Sequence, residues 1–191
     1  YYADWETPQP IGPSRIFTSS TGKVNQPAVT VDTQNQKYIV WSGGESGELN
    51  FSWSSAARAK THVDWFQPVT IPTSGLAVDQ PLIQVGRDGS IFIFYLVPFN
   101  EGRGVYLVSS TDQGSDWTQP VRVFDAAAES CETVNQLSFT QSEKTSLHLS
   151  WVCSTIPSGT GARSFRYARS VDKGLSWTTS LENIESKVIW G

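Results

Sequence analysis

Side chains able to do chemistry are few in this chain, and most stand alone. Arg103 and Arg163 each lie in a glycine-containing, loop-like stretch, Asn100-Glu101-Gly102-Arg103-Gly104 and Gly161-Ala162-Arg163-Ser164. Guanidinium groups bind carboxylates bidentately, so a pair of loop arginines is the chemistry of an anion clamp. The acids Glu45, Glu48, Glu101, Glu129 and Glu132 fall in similar loop-like stretches. Trp41, Tyr95 and Trp151 each fall near the end of an apolar run, where an aromatic ring can stack on a sugar. His62 and His148 are isolated, no spacing of His, Cys and Asp suits a metal, and no phosphate-binding loop or G-x-S-x-G string occurs. Neither a metal nor any other cofactor is expected.

Two further carboxylates, Asp112 and Asp172, differ from these because their surroundings repeat. Ser110-Thr111-Asp112-Gln113-Gly114-Ser115-Asp116-Trp117 and Ser170-Val171-Asp172-Lys173-Gly174-Leu175-Ser176-Trp177 both read S-x-D-x-G-x-x-W, sixty residues apart. The aspartate can accept hydrogen bonds from the amides of a tight turn, and the glycine two residues on supplies the positive φ such a turn needs. The tryptophan then folds back as an apolar plug. Strand-like sequence precedes each octapeptide (Val105–Val108, Phe165–Ala168), and extended sequence follows at least the first, so each is a hairpin between antiparallel strands.

Fainter markers carry the repeat across the chain. The four tryptophans Trp5, Trp65, Trp117 and Trp177 are spaced by 60, 52 and 60 residues, the first three opening W-x-x-P. Asn25-Gln26, Asp79-Gln80 and Asn135-Gln136 are spaced by 54 and 56. Such a period in a chain rich in aromatic and β-branched residues signals propeller blades. The motif resembles that of the Asp-box (BNR-repeat) β-propellers typified by sialidases. The resemblance implies an all-β, sialidase-like β-propeller: about three four-stranded antiparallel blades plus an extra strand, part of a six-bladed type of ring. The divisions are blade ends in 1–24, then blades at 25–73, 74–130 and 131–191. The hairpin of the first blade, Ser54 to Trp65, is degenerate. Blade strands are expected at Ala28–Val31, Tyr38–Trp41, Leu49–Trp53 and Val69–Ile71, and correspondingly onward to Lys187–Trp190; Tyr1–Ile11 supplies the end of a preceding blade.

The resemblance also divides structure from function. In that family the box is a staple on the face away from the ligand, so Ser110, Asp112, Gly114, Trp117 and Ser170, Asp172, Gly174, Trp177 are read as structural. The ligand face would carry the loops 43–48, 98–104 and 154–164 and the crossovers 73–79 and 125–134. Features repeated in every blade, the Asn/Asp-Gln pairs among them, are read as joining blade to blade. Blade-specific residues, Arg103, Arg163, Glu45, Glu48 and Glu101, remain as ligand-face candidates, with Trp41 and Trp151 as stacking candidates whose repeated position also suits filler between blades. Sialidase catalysis, as the family implies it, needs three arginines, a tyrosine with a glutamate partner and an acid/base aspartate. The family's F/Y-R-I-P string is absent; Ser14-Arg15-Ile16-Phe17 is the nearest, without the proline and ahead of the inner strand. Arg166 and Arg169 lie beside a box, where solvated surface is the simpler role.

Composition bounds what is left. The chain has 191 residues, 38% of them apolar and 12% aromatic, enough for a β core, and a net charge of −4 with scattered basic residues. That balance argues against nucleic acid as a partner. No run of about 18 apolar residues is long enough for a helical span. Cys131 and Cys153 are the two cysteines. With a hairpin turn near Glu143-Lys144, Cys153 falls opposite about Val134, close enough for a disulfide worth about 3 kcal/mol in the loop-entropy model; a pair of separate buried thiols is the alternative. The absence of methionine and the incomplete ring point to a piece of something longer, with the remaining blades from the same chain or from a partner. The function expected is a non-catalytic, extracytoplasmic module for protein or carbohydrate recognition or scaffolding. The alternative is half of an exo-acting sialidase-type glycoside hydrolase whose other site residues lie elsewhere.

Overall fold

The computed structural model describes residues 23–44, 46–55, 62–142, 146–156 and 163–178. They form three antiparallel sheets, each a meander of neighbouring strands. The first contains β1 (Lys23–Val31), β2 (Lys37–Gly44), β3 (Glu48–Ser54) and β4 (Val69–Ile71). The second contains β5 (Asp79–Val85), β6 (Ile91–Val97), β7 (Gly104–Ser110) and β8 (Val121–Asp125). The third contains β9 (Thr133–Gln141), β10 (Leu147–Ser154) and β11 (Arg163–Ser170). The fold is thus a β-propeller array of blades. The strand expected at Lys187–Trp190 and the blade end expected in 1–24, apart from the start of β1, lie outside the described residues, as does Ser14–Phe17.

Each innermost strand starts earlier than its apolar run suggests. Lys23 to Asn25 already pair with Gly44 to Ser42, and a bulge follows before Ala28 pairs with Val40. The second sheet repeats this between Asp79 and Leu82, and the third opposite Ser150 to Val152. At each of these three bulges a glutamine takes a left-handed backbone: Gln26 at φ 51°, Gln80 at φ 47° and Gln136 at φ 55°. A bulge inserts an unpaired residue and re-aims the strand, and a left-handed conformation is uncommon for a residue with a side chain. Three glutamines held there in register mark a function for the side chain. The Gln26 side-chain carbonyl accepts the amide of Gln80 at 2.7 Å, and that of Gln80 accepts the amide of Leu137 at 3.2 Å. The glutamines therefore latch each sheet to the next.

Apolar seams fill the space between sheets. All seven residues of β6 are buried, an unbroken apolar run, because this strand lies in the middle sheet with a neighbour on both faces. Ile91, Ile93, Tyr95 and Val97 join Val40, Leu49 and Phe51 of the first sheet. Phe92, Phe94 and Leu96 join Leu147, Leu149 and Trp151 of the third. Burying each such side chain is worth about 1.5–3 kcal/mol, so the two seams are the main cohesive element.

Candidate functional site

The antiparallel order puts two kinds of connection at opposite ends of the sheets. The S-x-D-x-G-x-x-W turns lie at one end. Ser110, 3% exposed, donates its hydroxyl to Asp112 Oδ1 at 2.7 Å and accepts the amide of Gly114 at 2.9 Å. The Asp112 carboxylate accepts the amide of Asp116 at 3.0 and 3.1 Å. Ser170, Asp172, Gly174 and Ser176 repeat the pattern, and here the Ser176 hydroxyl also donates to Asp172 at 2.5 Å. These donors hold Asp172 down at about 2, the Ser176 hydroxyl contributing most, and hold Asp112 below the usual carboxylate range, chiefly through the Asp116 amide. Trp117 and Trp177 donate their indole N–H groups to the carbonyls of Gly114 and Gly174 at 3.1 and 3.2 Å. Both aspartates are committed to holding turns.

The turns also clasp the preceding sheet. Gly114 (φ 89°) lies so close to the Phe51 ring, and Gly174 (φ 90°) so close to Leu107, that a β-carbon would collide with them. Trp117 meets Phe51 edge-on at 5.0 Å and Trp177 meets Phe94 at 5.7 Å. The degenerate hairpin of the first sheet keeps the serine and the tryptophan only. Ser54, fully buried, donates instead to the carbonyl of Asp64 at 2.7 Å, and Trp65 is bridged to it across the hairpin.

The other end carries the loops expected to face a ligand. Arg103 is 13% exposed at its side chain; its Nε donates to the carbonyl of Cys131 at 2.8 Å, one terminal nitrogen to the carbonyl of Asn100 at 3.0 Å, and the other lies 3.5 Å from Glu132. It laces the 98–104 loop to the crossover that carries the Cys131–Cys153 disulfide, whose Cα atoms are 5.5 Å apart. Cys153 pairs with Val134, the register anticipated from the sequence. Arg122, not singled out by the sequence, ties the same loop from the other side: it pairs with Asp125 at 2.8 Å and donates to the carbonyls of Glu101 and Arg103 at 3.1 and 3.0 Å. Glu101 is exposed at the loop tip, and Glu129 is exposed on the crossover. Arg163 opens β11 opposite Ser154, in the neighbouring sheet. Trp151, 2% exposed, fills the seam between the second and third sheets and Tyr95, fully buried, that between the first and second; Trp41, 6% exposed, belongs to neither seam. Glu45 lies outside the described residues.

Between the first and second sheets this end opens into a cleft of about 360 Å³. Asn25 and Asp79, at the heads of the two innermost strands, line it with Ser42, Gly43, Gly44 and Val78. Gln26 and Gly47 complete the wall, and the Gly47 carbonyl accepts the Val78 amide at 2.8 Å, closing the 43–48 loop onto the crossover at 73–79. Gly44 (φ 73°) leaves room for the Glu48 carboxylate, which lies against it where a β-carbon would stand. In the sequence, Asn25 and Asp79 group with their glutamines as a repeated pair. The structure separates the pair: the glutamine latches the seam, and its neighbour lines the cleft.

No family model matches the chain, and no curated protein matches it. Solved structures do share the fold. A protein of unknown function from Dyadobacter fermentans is 16% identical over 87% of this chain and 56% of its own, with a TM-score of 0.65. A Hadza microbial sialidase is 15% identical over 81% of this chain and 36% of its own, with a TM-score of 0.58. An endo-arabinase from Bacteroides thetaiotaomicron is 14% identical over 91% of this chain and 67% of its own, with a TM-score of 0.62. The chain thus spans about half or less of the length of the first two.

Proposed function

We propose that the chain contributes adjacent blades to an Asp-box β-propeller of six-bladed type that recognises carbohydrate outside the cytoplasm, without hydrolysing it. The remaining blades would come from further sequence or from a partner. The observation that carries the non-catalytic reading is the state of Arg103. An arginine clamp needs free guanidinium edges, and this one is satisfied by the carbonyls of Cys131 and Asn100 and by Glu132. The similar solved structures described as a sialidase, an endo-arabinase and a polysaccharide lyase support carbohydrate as the ligand class. The Cys131–Cys153 bond supports an oxidising compartment.

The test is binding of the fluorescently labelled protein to an immobilised panel of neutral and acidic glycans, run beside hydrolysis of fluorogenic sialoside and arabinofuranoside. Saturable glycan binding without turnover is expected. Turnover that Arg163→Ala abolishes would instead establish half of a glycoside hydrolase, and a panel without any bound glycan would overturn the carbohydrate reading.

A further inference from the structure

The cleft between the first two sheets carries a more specific statement, which rests on the carbohydrate reading. We infer that it is a subsite for a neutral, polyhydroxylated sugar ring, with Asp79 and Asn25 as its principal hydrogen-bonding groups, and that it excludes acidic sugars.

Size comes first. A cavity of about 360 Å³ lies at the small end of the range of ligand pockets, about 300–1,000 Å³, and suits one or two sugar rings. The lining is unusual for a seam otherwise made of aliphatic and aromatic side chains. It offers a carboxylate from Asp79, an amide from Asn25 and the bare backbone of Gly43 and Gly44, while the buried Ser42 hydroxyl donates to the Asn25 carbonyl at 3.3 Å and braces the wall. A carboxylate has two acceptor oxygens and can take the hydroxyls of a vicinal diol together, while the Asn25 amide offers both donors and an acceptor. Glycine backbone allows a ring to approach the wall closely. Val78 gives one apolar spot for a C–H face.

Charge then selects the class. No basic side chain lines the cleft among the described residues, Asp79 puts a carboxylate in its wall, and the Glu48 carboxylate lies against Gly44. An acidic sugar would bring a like charge to this wall with no guanidinium to offset it, and like charge placed there is costly. The cleft is also held open by construction. The latch from Gln26 to the Gln80 amide fixes one wall against the other, and the hydrogen bond from Val78 to Gly47 fixes the rim. Asn25 and Asp79 each precede a latching glutamine, so both are delivered to the cleft at a set spacing.

Isothermal titration and saturation-transfer NMR with arabinobiose, cellobiose and lactose, beside sialyllactose and glucuronic acid, test this on the protein. The expected result is binding of at least one neutral disaccharide and none of the acidic sugars. Asp79→Asn, which keeps the side chain's shape, should weaken that binding tenfold or more, and Asn25→Trp, which fills the cleft from an exposed position, should abolish it. Unchanged thermal midpoints would show both variants folded, and if Asn25→Trp unfolds, the isosteric Asp79→Asn still decides. Neutral-sugar binding untouched by Asp79→Asn would overturn the cleft assignment while leaving carbohydrate recognition standing. Acidic sugars that bind, and bind more tightly in Asp79→Asn, would overturn the selectivity. Binding to no sugar of either class would remove the carbohydrate reading itself, and this inference with it.

Discussion

At the hairpin end, the indole N–H groups of Trp117 and Trp177, in the two complete turns, both reach glycine carbonyls, whereas that of Trp65, in the degenerate hairpin, does not. Toward the loop end, the indole N–H of Trp151 and the hydroxyl of Tyr95 are buried with no hydrogen-bond partner among the described residues. The contrast extends to the rest of each end. The two complete turns repeat one network almost atom for atom, down to the serine Oγ that accepts the glycine amide at 2.9 and 2.8 Å. The loops have no repeating network; one is laced by Arg103 and Arg122, another is closed by Gly47 and Val78, and a cleft lies between sheets. A repeated, fully bonded turn is what stability selects in the second and third sheets. Blade-specific loops on a rigid scaffold are where binding is expected to sit.

The largest loss is expected from loading the hairpin end with one carbon. Gly114→Ala and Gly174→Ala should each cost about 2–4 kcal/mol, a left-handed backbone penalty plus overpacking against Phe51 or Leu107. Gly89 has φ 82° and open space around its missing β-carbon, so Gly89→Ala should pay the backbone part alone, about 1 kcal/mol. Urea denaturation gives all three values. Equal costs would show that the clasp on the neighbouring sheet adds nothing.

Next in size is the lacing at the loop end. Arg103→Ala leaves the Cys131 and Asn100 carbonyls without their charged donor and should cost about 2 kcal/mol. Arg103→Lys should recover little of it, because an ammonium does not present the fork that reaches both carbonyls. An Arg103→Ala variant with wild-type stability and lost glycan binding would return this arginine to the ligand site.

The two turns can also be told apart by acid. Asp172 sits at about 2 in the folded protein against about 3.9 in an unfolded chain, so its stabilisation is present above about pH 4 and lost as pH falls toward 2. Asp112 shifts in the same direction but lacks the serine hydroxyl that Asp172 gains from Ser176. Asp172→Asn should therefore flatten the acid limb of a pH–stability profile more than Asp112→Asn, and Ser176→Ala should bring the two turns closer together. Identical acid limbs for all three variants would show that the extra hydroxyl is inert.

These differences also mark what the sequence made legible. The repeat period, the turn chemistry of Asp112 and Gly114, the glutamine link between blades and the opposition of Cys153 to Val134 are local or periodic, and each can be read by counting residues. The early start of β1, β5 and β9 was hidden because a left-handed glutamine carries no signature of its own. The fate of Arg103 depends on a carbonyl 28 residues away, and the cleft depends on Asn25 and Asp79 meeting from separate sheets. Pattern shows that a residue recurs, whereas only packing shows which of two adjacent residues latches a seam and which one faces solvent.

The smallest expected effect concerns Tyr95, and its sign matters more than its size. Burial pushes its phenol well above the ordinary value, and Tyr106 stacks on it at 5.5 Å between ring centres. A buried hydroxyl without a partner carries a desolvation cost, and removing it while keeping the ring is neutral or stabilising, by up to about 1 kcal/mol. Tyr95→Phe should therefore hold or raise the thermal midpoint, opposite to the loss expected when Trp117→Phe deletes an indole that is bonded to Gly114. A clear loss of stability in Tyr95→Phe would mean that the hydroxyl is satisfied in solution. The distinction between the two ends would then rest on the Trp151 indole and the cleft.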